Sequence, residues 1–380
     1  MSRVVHVITR FIDGGADENT LLTCNKFAEK GNDVWLIYGG EYSETILSKL
    51  HSKVVPICIP SMLRSISPVK DIKSLLQMVS VYRKISPDVI HTHTSKAGIV
   101  GRIAGFFVPN VKIVHGVHIL PFMNVGFVQE KIYLFLEKLC ALGTDAFISV
   151  SDAMKDVCLD NNVGDESKHH VIESGMEIGD FVNALGATDI LRMRSTQPEF
   201  VYVCYVAALE KRKRHKELLA SISKRQEQQN AKIRFIFAGK GELLEELEED
   251  IEAYGLQDTV ACLGFRNDPQ AVIAACDMSV YASSREGLPR AIIQAAISGK
   301  PQVVSYLPGV ERVVKDGVNG VIVDGDSIDS LVDRVFELAE SGNGLSKLSG
   351  SSHGIDFSYW SADYMVDRIE LVYREIGVRT

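Results

Sequence analysis

"MSVYASSREGLPRAIIQAAISGKPQVV", Met278 to Val304, holds a complete strand–turn–helix–strand unit. Apolar Met278–Ala282 reads as a short strand, and Ser283 to Leu288 form a turn. Pro289 suits the first helical position, where its missing N–H costs nothing. The chain then returns to a strand at Gln302–Val304. Glu286 is too polar for the strand behind it and too early for the helix ahead, so its expected use is to face something bound. A helix-capping glutamate is the ordinary alternative. The start of the helix offers free N–H groups to an anion, while Glu286 accepts from sugar hydroxyls. Gln294, well inside the helix, can hold another hydroxyl. One loop thus provides for a phosphate and a polyol together.

The same rhythm runs outward in both directions. In the first half the apolar runs are Val4–Thr9, Val34–Tyr38, Val54–Cys58, Val89–His91, Lys112–Val114 and Ala146–Val150. Helical patterns lie between them, such as Val69–Ile85, with Val69, Ile72, Leu75, Leu76, Val79 and Tyr82 at helical spacing. Ser67-Pro68 supplies its cap and first turn. The rhythm breaks between about Glu173 and Glu199, where glycines and Pro198 interrupt a polar stretch that reads as a linker. A second series follows: Phe200–Val206, Ile233–Ala238, Val260–Leu263, Met278–Ala282, Gln302–Val304 and Gly320–Val323. Strands apolar on both faces and separated by helices predict parallel sheets covered on both sides. The expected fold class is therefore α/β, with two Rossmann-like doubly wound domains facing across a cleft. The expected bounds are residues 1–180 and 198–355, with a last helix in 356–380 free to pack on either domain. Ligands of such sheets bind beyond the carboxyl ends of the strands.

Bulk composition narrows the function classes. With 380 residues the chain is too long for one ordinary core. A net charge of -8 argues against nucleic acid as a partner. Seven cysteines without CxxC spacing read as reduced thiols of a cytoplasmic protein. The first strand is read from Val4, so no signal peptide is expected, and no apolar run approaches the ~18 residues of a membrane span.

Two Rossmann-like domains first suggest a dinucleotide enzyme, but the fingerprint is missing. Gly14-Gly15 follows the first strand without GxGxxG, and Gly239-Lys240-Gly241 has Leu244 where the third glycine belongs. Gly14 and Gly15 suit close approach of backbone N–H groups to an anion, or else a tight turn needing positive φ. The strongest basic cluster, LEKRKRHKE at Leu209 to Glu217, follows the first strand of the second series. Six of the seven residues from Lys211 to Glu217 are basic if His215 is counted. A charge run is usually a solvated helix face, but this one sits where ligands bind. Lys213 is the expected diphosphate partner, a point charge suited to that group. In the first half, HTHTSKAG (His91 to Gly98) and VHGVH (Val114 to His118) gather four histidines near strand ends. Zinc spacing exists there without a cysteine or carboxylate partner, so no metal is expected and a histidine facing the ligand is preferred.

Taken together these residues resemble a retaining glycosyltransferase of family GT4, with the GT-B fold. The resemblance runs through GGADENTL, HTHTSKAGIVGR, VHGVHILPF, VIESGMEIGDF, KRHKELL, FAGKGELLEEL, LGFRNDP, REGLPRAIIQA and DGVNGVIV, in order along nearly the whole chain. It implies a nucleotide-diphosphate-sugar donor, with UDP favoured, held mainly by the second domain. Lys213 would hold the diphosphate, with Lys211 and Arg212 beside it, and Glu286 would contact the donor sugar. The amides of Gly287, Leu288, Pro289 and Arg290 would flank that sugar as far as each carries one. Phe265 and Arg266 would border the base, and Gly241 and Gln294 would complete the donor site. Gly14 and Gly15 would approach the diphosphate from the first domain, and His118 would meet the sugar near the reacting carbon. No cofactor and no metal is implied, since lysine and a helix dipole stabilise the departing diphosphate. Two positions depart from the family pattern: Ala208 stands where an arginine is usual, and Gln294 where a second glutamate is usual.

The leading expectation is a cytoplasmic glycosyltransferase serving cell-envelope polysaccharide or glycolipid synthesis. A non-catalytic sugar-nucleotide-binding homologue or partner subunit is the alternative, and a dehydrogenase a remoter one. The acceptor is a saccharide or a lipid-linked sugar. The stretch ILPFMNVGFVQEKIYLFLEKL, Ile119 to Leu139, is apolar enough to touch such a lipid or the inner face of the membrane, although a loop and core helix is its ordinary reading.

Overall fold

The computed structural model describes the 380 residues except 13, 119, 124–125, 229–231, 285–287, 326, 342, 349–354 and 380. Two compact units form, one of Met1–Met176 with Ser358–Thr380 and one of Glu177–Phe357.

In the first unit the strands are β1 (Arg3–Phe11), β2 (Asp33–Tyr42), β3 (Val54–Ile59), β4 (Val89–His93), β5 (Lys112–Val117), β6 (Ala146–Ser149) and β7 (His169–Val171). They form one parallel sheet in the order β3-β2-β1-β4-β5-β6-β7. β-Branched residues crowd the central strands because both faces are covered. The sequence reading had no β7, since three residues with two histidines carry no apolar run. One face is covered by the helix Gly15–Glu29 and the C-terminal helix Ala362–Glu375, whose Met365, Val366, Ile369 and Tyr373 are buried in the core. Phe27 stacks on Tyr373 at 5.3 Å, and Lys30 pairs with Glu370 at 2.8 Å and with Asp367.

The other face carries the helices Pro68–Ile85 and Ser95–Gly105. Ser67 is the N-cap and Pro68 the first residue of the former. Its apolar stripe divides, however. Tyr82 is buried, while Val69, Ile72 and Leu76 are 80%, 59% and 65% exposed. Periodicity marked these residues as one face, but among the described residues no element of this unit covers that part of it.

The second unit contains β8 (Val201–Val206), β9 (Ile233–Ala238), β10 (Val260–Cys262), β11 (Met278–Tyr281), β12 (Gln302–Ser305) and β13 (Gly320–Val323). Its sheet is parallel in the order β10-β9-β8-β11-β12-β13. The expected linker before residue 198 is corrected here. Helices Ile178–Val182 and Thr188–Thr196 belong to this unit. Arg194 grips Asp277 through two nitrogens at 2.7 and 3.0 Å, and the Ala187 N–H donates to the Ala271 carbonyl. Bidentate arginine pairing fixes a segment that composition alone marks as loop.

Candidate active site

In each sheet the strand order reverses once between neighbours, at β1/β4 and at β8/β11. Adjacent loops leave such a switch point in opposite directions and open a crevice at the carboxyl ends. In the second unit this brings the basic turn after β8 to the loop after β11. Ser284 donates its backbone N–H, at 3.0 Å, and its hydroxyl, at 3.4 Å, to the Arg212 carbonyl. Residues 72 positions apart in sequence therefore share one wall. Glu286 and Gly287 lie outside the described residues. Leu288 and Pro289 follow, and the helix begins at Arg290, with Pro289 as N-cap rather than first helical residue. Gln294 is nearly buried on that helix.

Lys211–Lys213 form a 3-10 turn closed by Arg214 in the left-handed region at φ 59°. Lys213 is buried, and its carbonyl accepts the Tyr205 hydroxyl at 2.7 Å. Its neighbours divide their charge differently. Lys211 is exposed, Arg212 pairs with Glu210 at 2.7 Å, and Lys216 pairs with Glu246 and Asp250. His215 does not belong to the charge cluster. It is fully buried, stacked on Tyr205 at 4.3 Å, and burial lowers its pKa to about 3. A neutral, aromatic His215 thus anchors the turn beneath Lys213.

Three further donor-site candidates have structural neighbours of their own. A Cβ at Gly239 or Gly241 would lie 1.8 Å from the Ala207 oxygen or 2.2 Å from the Leu209 oxygen, so close passage of two loops already requires both glycines. Arg266 is committed to Asp268 through two nitrogens at 2.8 Å each and to Asp189 at 2.7 Å, which makes it a brace for the loop. Phe265 is half exposed, with Lys240 4.4 Å from its ring centre. That pair can stack against a planar base.

In the first unit neither Gly14 nor Gly15 has positive φ, which removes the tight-turn reading. Gly14 is extended at φ -162°, and a Cβ on Gly15 would meet open space. Asp17 reaches back over Gly14, so a carboxylate already stands near this helix N-terminus. Thr94 holds φ 63°, an uncommon state for a β-branched residue. Its hydroxyl lies 3.1 Å from that of Thr9, which accepts the Ala97 N–H at 2.9 Å. Local sequence gives no sign of this strained threonine beside the switch point.

The histidines converge across three strands. His6 on β1 was not among the sequence candidates; pairing of β1 with β4 sets it opposite His91. His6 Nδ1 meets His93 Nε2 at 3.0 Å, and His93 Nδ1 meets His118 Nε2 at 3.0 Å. His91 Nδ1 meets the Tyr373 hydroxyl at 2.7 Å, and His115 Nδ1 meets Thr92 Oγ1 at 2.9 Å. Burial lowers the pKa of His6 to about 3 and of His118 to about 4, and holds His91, His93 and His115 well below the ordinary value.

Neutrality fixes the direction of the chain. His6 Nε2 is buried without a partner among the described residues. If His6 donates from Nδ1, only a bare lone pair is left there; the reverse would bury an unpaired N–H, the costlier defect. Donation therefore runs from His6 to His93 to His118, and His118 carries its proton on Nδ1. That nitrogen is a donor suited to a sugar or phosphate oxygen. His6, His91 and His93 also bring ring nitrogens within 4.8 Å of one another, the one such metal-capable group among the described residues. Within that group His6 Nδ1 and His93 Nε2 bond to each other.

Beside Gly14, Gly15 and Thr94 a cavity of about 730 Å³ opens within this unit. Its inner walls come from the helices Pro68–Ile85, Ser95–Gly105 and Phe127–Ala141. The last of these is not an ordinary core helix. Leu134 is buried, but Phe127, Val128, Phe135 and Leu139 are exposed. Among the described residues no helix is long and apolar enough to cross a membrane.

Two Rossmann-like parallel-sheet units in tandem are the architecture of the GT-B class of glycosyltransferases. Family models agree: glycosyltransferase family 4 matches residues 13–179 and glycosyl transferases group 1 matches 191–350. The chain belongs to the GT4-type glycosyltransferases. It is 28% identical to the UDP-Gal:alpha-D-GlcNAc-diphosphoundecaprenol alpha-1,3-galactosyltransferase of Escherichia coli, over 77% of this chain and 76% of that one. It is 24% identical to the capsular polysaccharide biosynthesis glycosyltransferase CapM of Staphylococcus aureus, over 73% and 74%. The crystal structure of Anabaena Alr3699/HepE in complex with UDP and glucose superposes with TM-score 0.79 at 19% identity, covering 99% and 100% of the two chains.

Proposed function

We propose that this glycosyltransferase moves a hexosyl group from a UDP-sugar to a lipid-linked or saccharide acceptor, with retention, in cell-envelope polysaccharide or glycolipid synthesis. The observation that carries this reading is the buried Lys213 on a turn hydrogen-bonded to the loop that leads into Glu286 and the Arg290 helix. A lysine on a turn tied to the loop before a helix N-terminus is suited to a diphosphate, which the helix N–H groups also favour.

In this reading Lys213 holds the diphosphate, assisted by Lys211, and stabilises its charge as the bond to the sugar breaks. Glu286 and Gly287 meet the donor sugar, with Leu288, Pro289 and Arg290 beside them. Phe265 and Lys240 lie against the base, and Gln294 takes a ribose hydroxyl. His118 donates from Nδ1 to the sugar near the reacting carbon. Gly14 and Gly15 approach the diphosphate, the weakest of these roles because Asp17 stands close by. Metal and cofactor have no role in it, and the first unit binds the acceptor. The E. coli relative acts, by its name, on a UDP-sugar and a diphosphoundecaprenol-linked acceptor, which supports the same pairing here.

UDP release from a panel of UDP-sugars, with a membrane extract as acceptor source and with chelator present, tests the proposal. Proton coupling at the new anomeric centre reports retention. UDP binding without turnover of any donor would favour a non-catalytic homologue instead.

A further inference from the structure

The cavity of the first unit has two chemically different ends. At one end lie Gly14, Thr94, Ser95, Arg10 and Lys96, at or just beyond the carboxyl ends of β1 and β4, with Arg64 from the loop after β3. At the other, Ile72, Leu75, Ile99, Ile103, Ile132 and Leu136 face the space from three helices. A site for a free oligosaccharide would carry hydrogen-bonding groups along its length, whereas this inner end is aliphatic.

The apolar wall continues onto the surface. Val69 and Leu76 flank Ile72 at helical spacing, and Val128, Phe135 and Leu139 flank Ile132 in the same way. All five are exposed, from 45% for Leu139 to 80% for Val69. Exposed apolar stripes on two helices that line one groove are of the kind that marks a binding surface. Lys70, Lys73, Lys131 and Lys138 are exposed on those two helices.

The polar end sets the cations of Arg10, Arg64 and Lys96 against the carboxylates of Asp17 and Asp71. Lys96 is neutralised by Asp71 at 2.8 Å, and Arg10 lies 4.0 Å from Glu41. Arg64 is exposed, and its guanidinium has no partner among the described residues. Arginine is well shaped for phosphate oxygens.

We propose that this groove binds a polyisoprenyl diphosphate-linked sugar, with the diphosphate at Arg64 and the first isoprene units between the three helices. The inference rests on the glycosyltransferase reading and names its acceptor class. A volume of about 730 Å³ lies within the ~300–1,000 Å³ of small-ligand sites, so it takes the head and the start of the tail. The remainder of a long tail stays in the bilayer, against which the exposed stripes rest.

Calorimetric titration with farnesyl diphosphate, at saturating UDP to block the donor site, tests this directly. Farnesyl diphosphate binds, whereas inorganic diphosphate and farnesol bind at least about tenfold more weakly, because each lacks one half of the contact. Ile72→Glu and Arg64→Ala each weaken farnesyl diphosphate by a similar factor and leave UDP affinity unchanged. Ile72 is mostly exposed, so the variant folds, and its unfolding temperature checks this. Equal binding of farnesyl and inorganic diphosphate, or indifference to Ile72→Glu, overturns the assignment. Loss of UDP binding in the unaltered protein would instead overturn the donor reading and leave this result standing.

Discussion

Acidification should unfold the first unit well before ordinary acid denaturation, because its buried histidines are held neutral. His6 is fully buried with a pKa lowered to about 3, against an ordinary value of 6.5. Below pH 6.5 the unfolded chain takes up a proton there that the folded chain refuses. Stability from His6 is therefore complete above pH 6.5 and is lost as the pH falls toward 3. The slope approaches about 1.4 kcal/mol per pH unit, so His6 alone removes about 1.4 kcal/mol between pH 7.5 and 5.5. His91, His93, His115 and His118 shift in the same direction in the same unit, and together the five rival the ~5–15 kcal/mol that stabilises a whole domain. The second unit has only His215 so shifted among its described residues.

Urea unfolding followed by circular dichroism at pH 7.5 and 5.5 measures this. Two transitions are expected at pH 5.5, with the first unit the weaker. His6→Gln, which cannot titrate, should reduce the pH-dependent loss by about 1.4 kcal/mol whatever it does to stability at pH 7.5. An identical pH-dependent loss in His6→Gln and the unaltered chain would refute the reasoning, since His6 would then not be neutral in the fold.

Lys213→Ala should weaken UDP binding about tenfold to a hundredfold, the loss of a hydrogen bond to a charged group; unchanged affinity by calorimetry transfers the role to Lys211. Arg102 and Glu137 are buried and meet at 2.5 Å, so Arg102→Leu should cost about 3–5 kcal/mol in urea unfolding by stranding the carboxylate. Adding Glu137→Leu should recover most of it, and a still less stable double variant would contradict the pairing. Gln294→Glu should gain little UDP affinity alone and recover it with Ala208→Arg, a non-additivity expected only if both positions meet one ligand. Additive effects near zero in the four-member cycle would remove both from the donor site.

Local chemistry carried much of this protein. Alternating apolar runs and amphipathic stretches specify parallel sheets under helices, since strands covered on both faces have few polar positions to offer. The basic turn and the loop before Arg290 were legible because charge and glycine directly after an apolar strand have few structural uses. Contacts between distant segments were not. His6 lies 87 residues from His93, and nothing near it signals a relay until β1 pairs with β4. The same holds for Tyr373 on His91, 282 residues away, and for Asp189, which pairs with Arg266 from 77 positions away. Periodicity told which residues of the Pro68 helix share a face; only packing decided that Tyr82 is covered while Val69, Ile72 and Leu76 are not. A sequence fixes the direction in which a side chain points, but the partner there arrives from elsewhere in the chain, and its identity follows from strand order, which no local pattern encodes.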